Sequence, residues 1–139
     1  MTTFDPEEWA EVAEMCCDRI PGIGAEALLR TALNRAYYAV LLCVKRRLEQ
    51  VHGQGAVPQF RTHAAILDAV RSGGSAFTAL RDGLRSLQAL REKADYELRS
   101  APLIWGEVHT HVQLSRSLIR TRIKALPDAE FRRLDVRRT

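Results

Sequence analysis

The chain has 139 residues, enough to bury one core and too few for two. Its hydrophobic content of 46% and charged content of 27% are those of a globular protein, and no apolar run approaches the ~20 residues of a bilayer span. A net charge of +4 and a pI near 9.3 leave a polyanionic partner open.

The predicted elements are all helical. Asp5-Pro6-Glu7-Glu8 predicts a helix start, with Asp5 as cap, Pro6 in the first turn and Glu8 at the capping-box position. Trp9, Val12, Ala13 and Cys16 make its expected apolar face, and Ile20-Pro21-Gly22 its stop. From Gly24 to about Gln50 runs the longest helical pattern. Leu29, Ala32, Ala36, Ala39, Val40 and Cys43 form one stripe, which Leu28, Leu42 and Val44 widen until burial on several sides is expected. Small Ala32, Ala36 and Ala39 would let another helix come close, while Arg35, Tyr37 and Tyr38 interrupt the run. Val51 to Pro58 reads as a loop.

Phe60 to Arg71 reads as a short helix with Phe60, Ala64, Leu67 and Val70 at helical spacing and His63 beside them. Ser72-Gly73-Gly74-Ser75 separates it from the next helix, Ser75 to Leu98, with Ser75 as a cap; Gly83 in its interior marks close packing. Ser100-Ala101-Pro102 is a break. Ile104 to Leu126 is the last long helix, with Val108, Val112, Ser115, Ile119 and Ile123 on one face and Pro127 as its stop. The sum is an all-α chain, a four- to five-helix up-down antiparallel bundle. Residues 1–126 form the single domain and 127–139 a basic C-terminal tail, which forms a turn of helix or stays loose.

One residue breaks the pattern. Phe77, Leu80, Leu84, Leu87, Ala94 and Leu98 form an apolar stripe, and the position that continues it between Leu87 and Ala94 is Arg91. A guanidinium on a core-facing stripe must be desolvated, at a cost of several kcal/mol unless a carboxylate or an incoming anion receives it. Asp95 lies one turn on, with Tyr96 beside it. Two readings follow: a structural Arg91–Asp95 pair at i, i+4 that pins two helices, or a polar site of Arg91, Asp95 and Tyr96 at a helix or subunit seam. Arg35, Tyr38 and His63 are secondary polar candidates.

Charge is unevenly spread. Asp5, Glu7, Glu8, Glu11, Glu14 and Asp18 stand in the first eighteen residues with no base among them. Arg116, Arg120, Arg122, Lys124, Arg132, Arg133, Arg137 and Arg138 dominate the end. Arg132, Arg133, Arg137 and Arg138 are therefore candidates for nucleic-acid binding. The other account is that the acidic first helix packs near the basic last one.

Cys16, Cys17 and Cys43 do not make a disulfide framework; buried free thiols in a reducing compartment are expected. The acidic start MTTFDPEEW is not a signal peptide, so the cytoplasm is the expected location. No Cys/His spacing resembles a zinc site, and His109 and His111 stand on different helix faces. Gly22-Ile23-Gly24 and Gly73-Gly74 are no phosphate loop. No metal or cofactor is expected.

The segment ALNRAYYAVLLCVKRRL on the second expected helix, with Arg35, Ala36, Tyr37, Tyr38 and Ala39, resembles the alanine-, arginine- and double-tyrosine-containing helix of HEPN domains. Thr62-His63 opening the next helix, then Leu90-Arg91 and Ala94-Asp95-Tyr96, follow in the right order, and the resemblance covers roughly residues 25 to 125. It implies a helical bundle that commonly forms a homodimer. In the nuclease members, two copies of an Arg-x4–6-His motif meet at the dimer interface and cleave RNA without metal. Many members are encoded with a minimal nucleotidyltransferase as toxin and antitoxin, or act in other defence systems; others only bind or assemble. Here Arg91 matches the motif arginine, but Tyr96 occupies the histidine position, and a phenol is a poor general base at neutral pH. His63, His109 and His111 are the histidines that another helix could bring to the site. The expectation is a HEPN-like, RNA-directed component of a toxin–antitoxin or defence module, with metal-independent cleavage left open. The alternative is a non-catalytic dimeric module that binds a nucleotide or a protein.

Overall fold

The computed structural model describes residues 4–18, 25–60, 62–96 and 103–136. Along them run helices α1 (Glu7–Asp18), α2 (Ala25–His52) and α3 (Thr62–Ser72), a 3-10 turn (Ser75–Phe77) and α4 (Thr78–Tyr96). Helix α5 (Trp105–Leu118), a π turn (Ile119–Ile123) and α6 (Asp128–Arg132) complete the order. Among the described residues the protein is all helical, and no helix is long and apolar enough to cross a membrane. The described residues form six helices rather than the four or five expected, because the segment read as a tail contributes α6.

Helix α2 is the centre. At the usual helical rise its 28 residues are about 42 Å long. It touches α1, α3, α4, α5 and α6. That follows from its residues: Leu33, Ala36, Tyr37, Val40, Leu41 and Val44 are buried on faces that point in several directions, and Ala32, Ala36 and Ala39 are wholly covered. The segment Val51–His52, expected in a loop, is its last turn.

The α4 stripe is as expected. Phe77, Leu80, Leu84, Leu87, Leu90 and Ala94 are buried, and Arg91 is buried with them. Gly83 packs close, since a Cβ there would stand 2.5 Å from Leu118 Cδ1 on α5. The α5 face is also as read: Val108, Val112, Ser115, Ile119 and Ile123 are all buried. Its last stretch widens to a π turn, in which the Lys124 amide reaches back to the Ile119 carbonyl at 2.9 Å.

Two helices are rotated from their expected faces. In α1 the buried residues are Ala10, Ala13 and Cys17, whereas Val12 is exposed and Trp9 and Cys16 sit at the edge. Small side chains let α1 lie close on α2; the bulkier ones flank the contact. In α3 the buried residues are Ala65, Ile66, Ala69 and Val70. Phe60 lies before the helix and is 100% exposed, and Ala64 faces solvent. Asp5 caps α1, its Oδ1 accepting the Glu7 amide at 3.0 Å. Ser75 is no cap: it is the first residue of the 3-10 turn, and Gly74 occupies the cap position.

Helix α6 closes one end. Phe131 and Leu134 are buried, and the Phe131 ring meets Phe77 edge-on at 5.2 Å. Arg47 reaches over from α2, its guanidinium 4.3 Å from the Phe131 ring centroid. It donates to the Ile123 carbonyl, to the Leu126 carbonyl at 2.9 Å and to Asp128 at 2.8 Å. The breaks expected at Ile20-Pro21-Gly22 and Ser100-Ala101-Pro102, the Gly22-Ile23-Gly24 segment and Leu98 lie outside the described residues.

Candidate functional site

Arg91 projects from α4 toward the middle of α2 and is only 7% exposed. Its Nη1 donates to Asp95 Oδ2 at 3.2 Å and to the Tyr38 hydroxyl at 3.5 Å. The first bond is the i, i+4 pair expected from sequence; the second is long and contributes little. Three rings surround the guanidinium, with centroids at 5.0 Å (Tyr37), 5.5 Å (Tyr38) and 5.9 Å (Tyr96). Its Nε–H is buried with no hydrogen-bond partner among the described residues, and so is the Tyr37 hydroxyl. An unsatisfied buried donor costs about 1–3 kcal/mol, so the site holds unused hydrogen-bonding capacity.

Asp95 is steadied from the other side, where Asn34 Nδ2 donates to the same oxygen at 3.3 Å. Arg30, one turn earlier on α2, donates to the Ala94 carbonyl at the end of α4 and pairs with Glu26 at 3.1 Å. A cation there satisfies a last-turn carbonyl and suits the helix dipole. Residues 30, 34, 37 and 38 thus present one face of α2 to the last turns of α4. Tyr96 is 72% exposed at the rim.

The secondary candidates fall beside this pair. His63 opens α3 and its ring lies 5.2 Å from Tyr38 and 5.9 Å from Tyr37. Burial, and then the charge of Arg91, hold the imidazole below its ordinary value, so it is neutral at neutral pH. Burial pushes the Tyr37 phenol up to about 12, against the pull of Arg91, so it stays protonated. Arg35 stacks over Trp9 at 4.8 Å, and Trp9 meets Tyr38 edge-on at 6.1 Å. Phe4, 49% exposed, lies 5.2 Å from Trp9. The result is a strip of rings interleaved with two arginines. Trp9 and Phe4 escape a sequence reading because nothing in the local pattern separates a site-edge aromatic from a core one. The signal that was present is the place of Trp9 at the margin of the apolar face of α1.

His109 and His111 are elsewhere: His109 stacks on Trp105 at 4.7 Å, and His111 Nδ1 lies 2.8 Å from the Glu107 carbonyl. Among the described residues no group of three His, Cys, Asp or Glu side chains is placed to hold a metal. The cysteines are free thiols, and burial pushes Cys43 up to about 12.

The acidic and basic ends meet. Glu14 pairs with Arg116 at 3.5 Å, and Glu7 with Lys124 at 3.2 Å. Arg46 pairs with Asp5 at 2.8 Å and Glu7 at 3.3 Å. For Arg116 and Lys124, packing of first helix near last accounts for the pattern. An open cleft of about 580 Å³ lies between Arg46, Arg47, Lys124 and Asp128, and each of its three cations is engaged by an acid. Arg132 and Arg133 are exposed at α6, where Arg133 pairs with Glu130 at 3.2 Å. Arg137 and Arg138 lie outside the described residues. No family model matches the chain, and no curated protein or solved structure matches it.

Proposed function

We propose that this protein is a HEPN-like, RNA-directed component of a toxin–antitoxin or defence module, an up-down antiparallel bundle acting as a homodimer. The observation that carries the proposal is Arg91: nine-tenths buried, with an Nε–H that has no partner among the described residues, and surrounded by phenols of which Tyr37 and Tyr38 also border the His63 ring. A phosphate is the anion that best suits such a donor. In this reading Arg91 stabilises the charge that develops on a phosphodiester and Asp95 orients Arg91. Tyr96, at the rim, contacts substrate or is modified by a partner such as a minimal nucleotidyltransferase. Cleavage, where it occurs, is metal-independent attack of a 2′-hydroxyl on the neighbouring phosphate.

A second reading, a non-catalytic dimeric module for a nucleotide or protein, is favoured by the commitment of Nη1 to Asp95. One experiment separates the two. The purified protein and its Arg91→Ala variant are incubated with total cellular RNA in EDTA, with the mass in solution measured for both. Cleavage by the wild type alone, both proteins being dimeric, is the expected result. Stable dimers with no cleavage would transfer the assignment to the module, and a wild-type monomer that leaves RNA intact would remove both readings.

A further inference from the structure

We infer that His63 is the general base of this site, supplied by α3 in place of the histidine that α4 lacks. The inference rests on the RNA-directed reading and deepens it. Tyr37 and Tyr38, which cover Arg91, also flank His63: their centroids are 5.9 and 5.2 Å from its ring and 5.0 and 5.5 Å from the Arg91 guanidinium. Guanidinium and imidazole therefore share the same two neighbours. His63 is half-buried rather than sealed, so a ribose hydroxyl can reach it. Tyr96 is mostly exposed at the rim, and an imidazole suits general-base work better than a phenol, so the base is assigned to His63 rather than to the residue at the motif position. Among the described residues the groups that reach His63 are Tyr37 and Tyr38 from α2 and Arg91 from α4.

The substrate class is single-stranded RNA. The neighbouring rings of Trp9 and Phe4, with Arg35 over Trp9, continue the strip in the manner of proteins that track unpaired bases. In the step itself, neutral His63 takes the proton of the 2′-hydroxyl and the 2′-oxygen forms a bond to phosphorus. The bond from phosphorus to the 5′-oxygen breaks, and that oxygen takes a proton from water. The resulting hydroxide is neutralised by the His63 proton. The products are a 2′,3′-cyclic phosphate and a 5′-hydroxyl, and no redox change occurs.

The test is metal-free cleavage of a defined single-stranded RNA by wild type, His63→Gln, and His63→Ala with and without added imidazole, across pH 5 to 8.5. Wild-type activity rises with pH and levels off below neutrality, because the neutral imidazole is the active form. His63→Gln lowers kcat by about 10²- to 10⁴-fold with KM unchanged, and imidazole restores part of the His63→Ala activity. The products carry cyclic phosphate ends, and a strand with a 2′-deoxy sugar at the cut is left whole. Cleavage by His63→Gln within threefold of wild type would overturn the assignment of His63 and leave the RNA reading standing. Absence of cleavage by the wild type would overturn both.

Discussion

Two arginines of this protein are buried to nearly the same degree and treated in opposite ways. The Arg47 side chain is 12% exposed and that of Arg91 9%. Arg47 finds two backbone carbonyls, a carboxylate at 2.8 Å and an aromatic face, and these partners stitch α2 to the π turn and α6. Among the described residues Arg91 has one carboxylate at 3.2 Å, a long contact to a phenol, and an Nε–H with no acceptor. The first is what a structural cation looks like when its desolvation is answered by hydrogen bonds. The second is held among rings with capacity left over. Burial of a charge is therefore a poor guide to its role; the tally of its partners is a better one.

The largest effect should come from removing the surface that Arg47 covers. Phe131→Ala should cost about 3–5 kcal/mol in urea unfolding, since its ring is wholly buried against Phe77. A loss below 1 kcal/mol would mean that α6 does not hold the end of the molecule. Next, Arg47→Met keeps the bulk but strands the Ile123 and Leu126 carbonyls, and should cost about 2–3 kcal/mol. An unchanged midpoint would erase the contrast between the two arginines.

A smaller and more specific effect concerns pH. Because the folded state holds His63 low, the unfolded chain takes up that proton first as pH falls. The wild type should therefore lose melting temperature between the unfolded value of 6.5 and the lower folded one, and His63→Gln should lose less over the same window. Parallel curves for the two proteins would place His63 in a less buried setting.

How much was legible in the sequence follows helix length and spacing. The α4 stripe, Arg91 within it and the α5 face all emerge correctly, because long helices repeat their apolar positions often enough to fix the phase. In α1 and α3, with 12 and 11 residues, the phase was set wrongly. Bulky Val12 and Phe60 attracted the reading, while packing kept the expected Ala13 and Val70 and otherwise selected Ala10, Ala65 and Ala69, which allow close approach. The Arg91–Asp95 pair was visible as an i, i+4 relation. That Tyr37, Tyr38 and His63 converge on it was not, because three separate helices bring them together. The burial of Phe131 was hidden by the arginines beside it, whose charges suggest a solvated tail.

The most direct measurement is the urea unfolding free energy of Arg91→Met beside that of Arg47→Met. Arg91→Met removes a buried donor that has no partner among the described residues and leaves Asp95 still held by Asn34 and partly open to solvent, so it should cost only about 1 kcal/mol. Arg91→Met should therefore unfold near the wild-type midpoint while Arg47→Met falls well below it. A loss at Arg91 as large as that at Arg47 would contradict the account and make both residues structural.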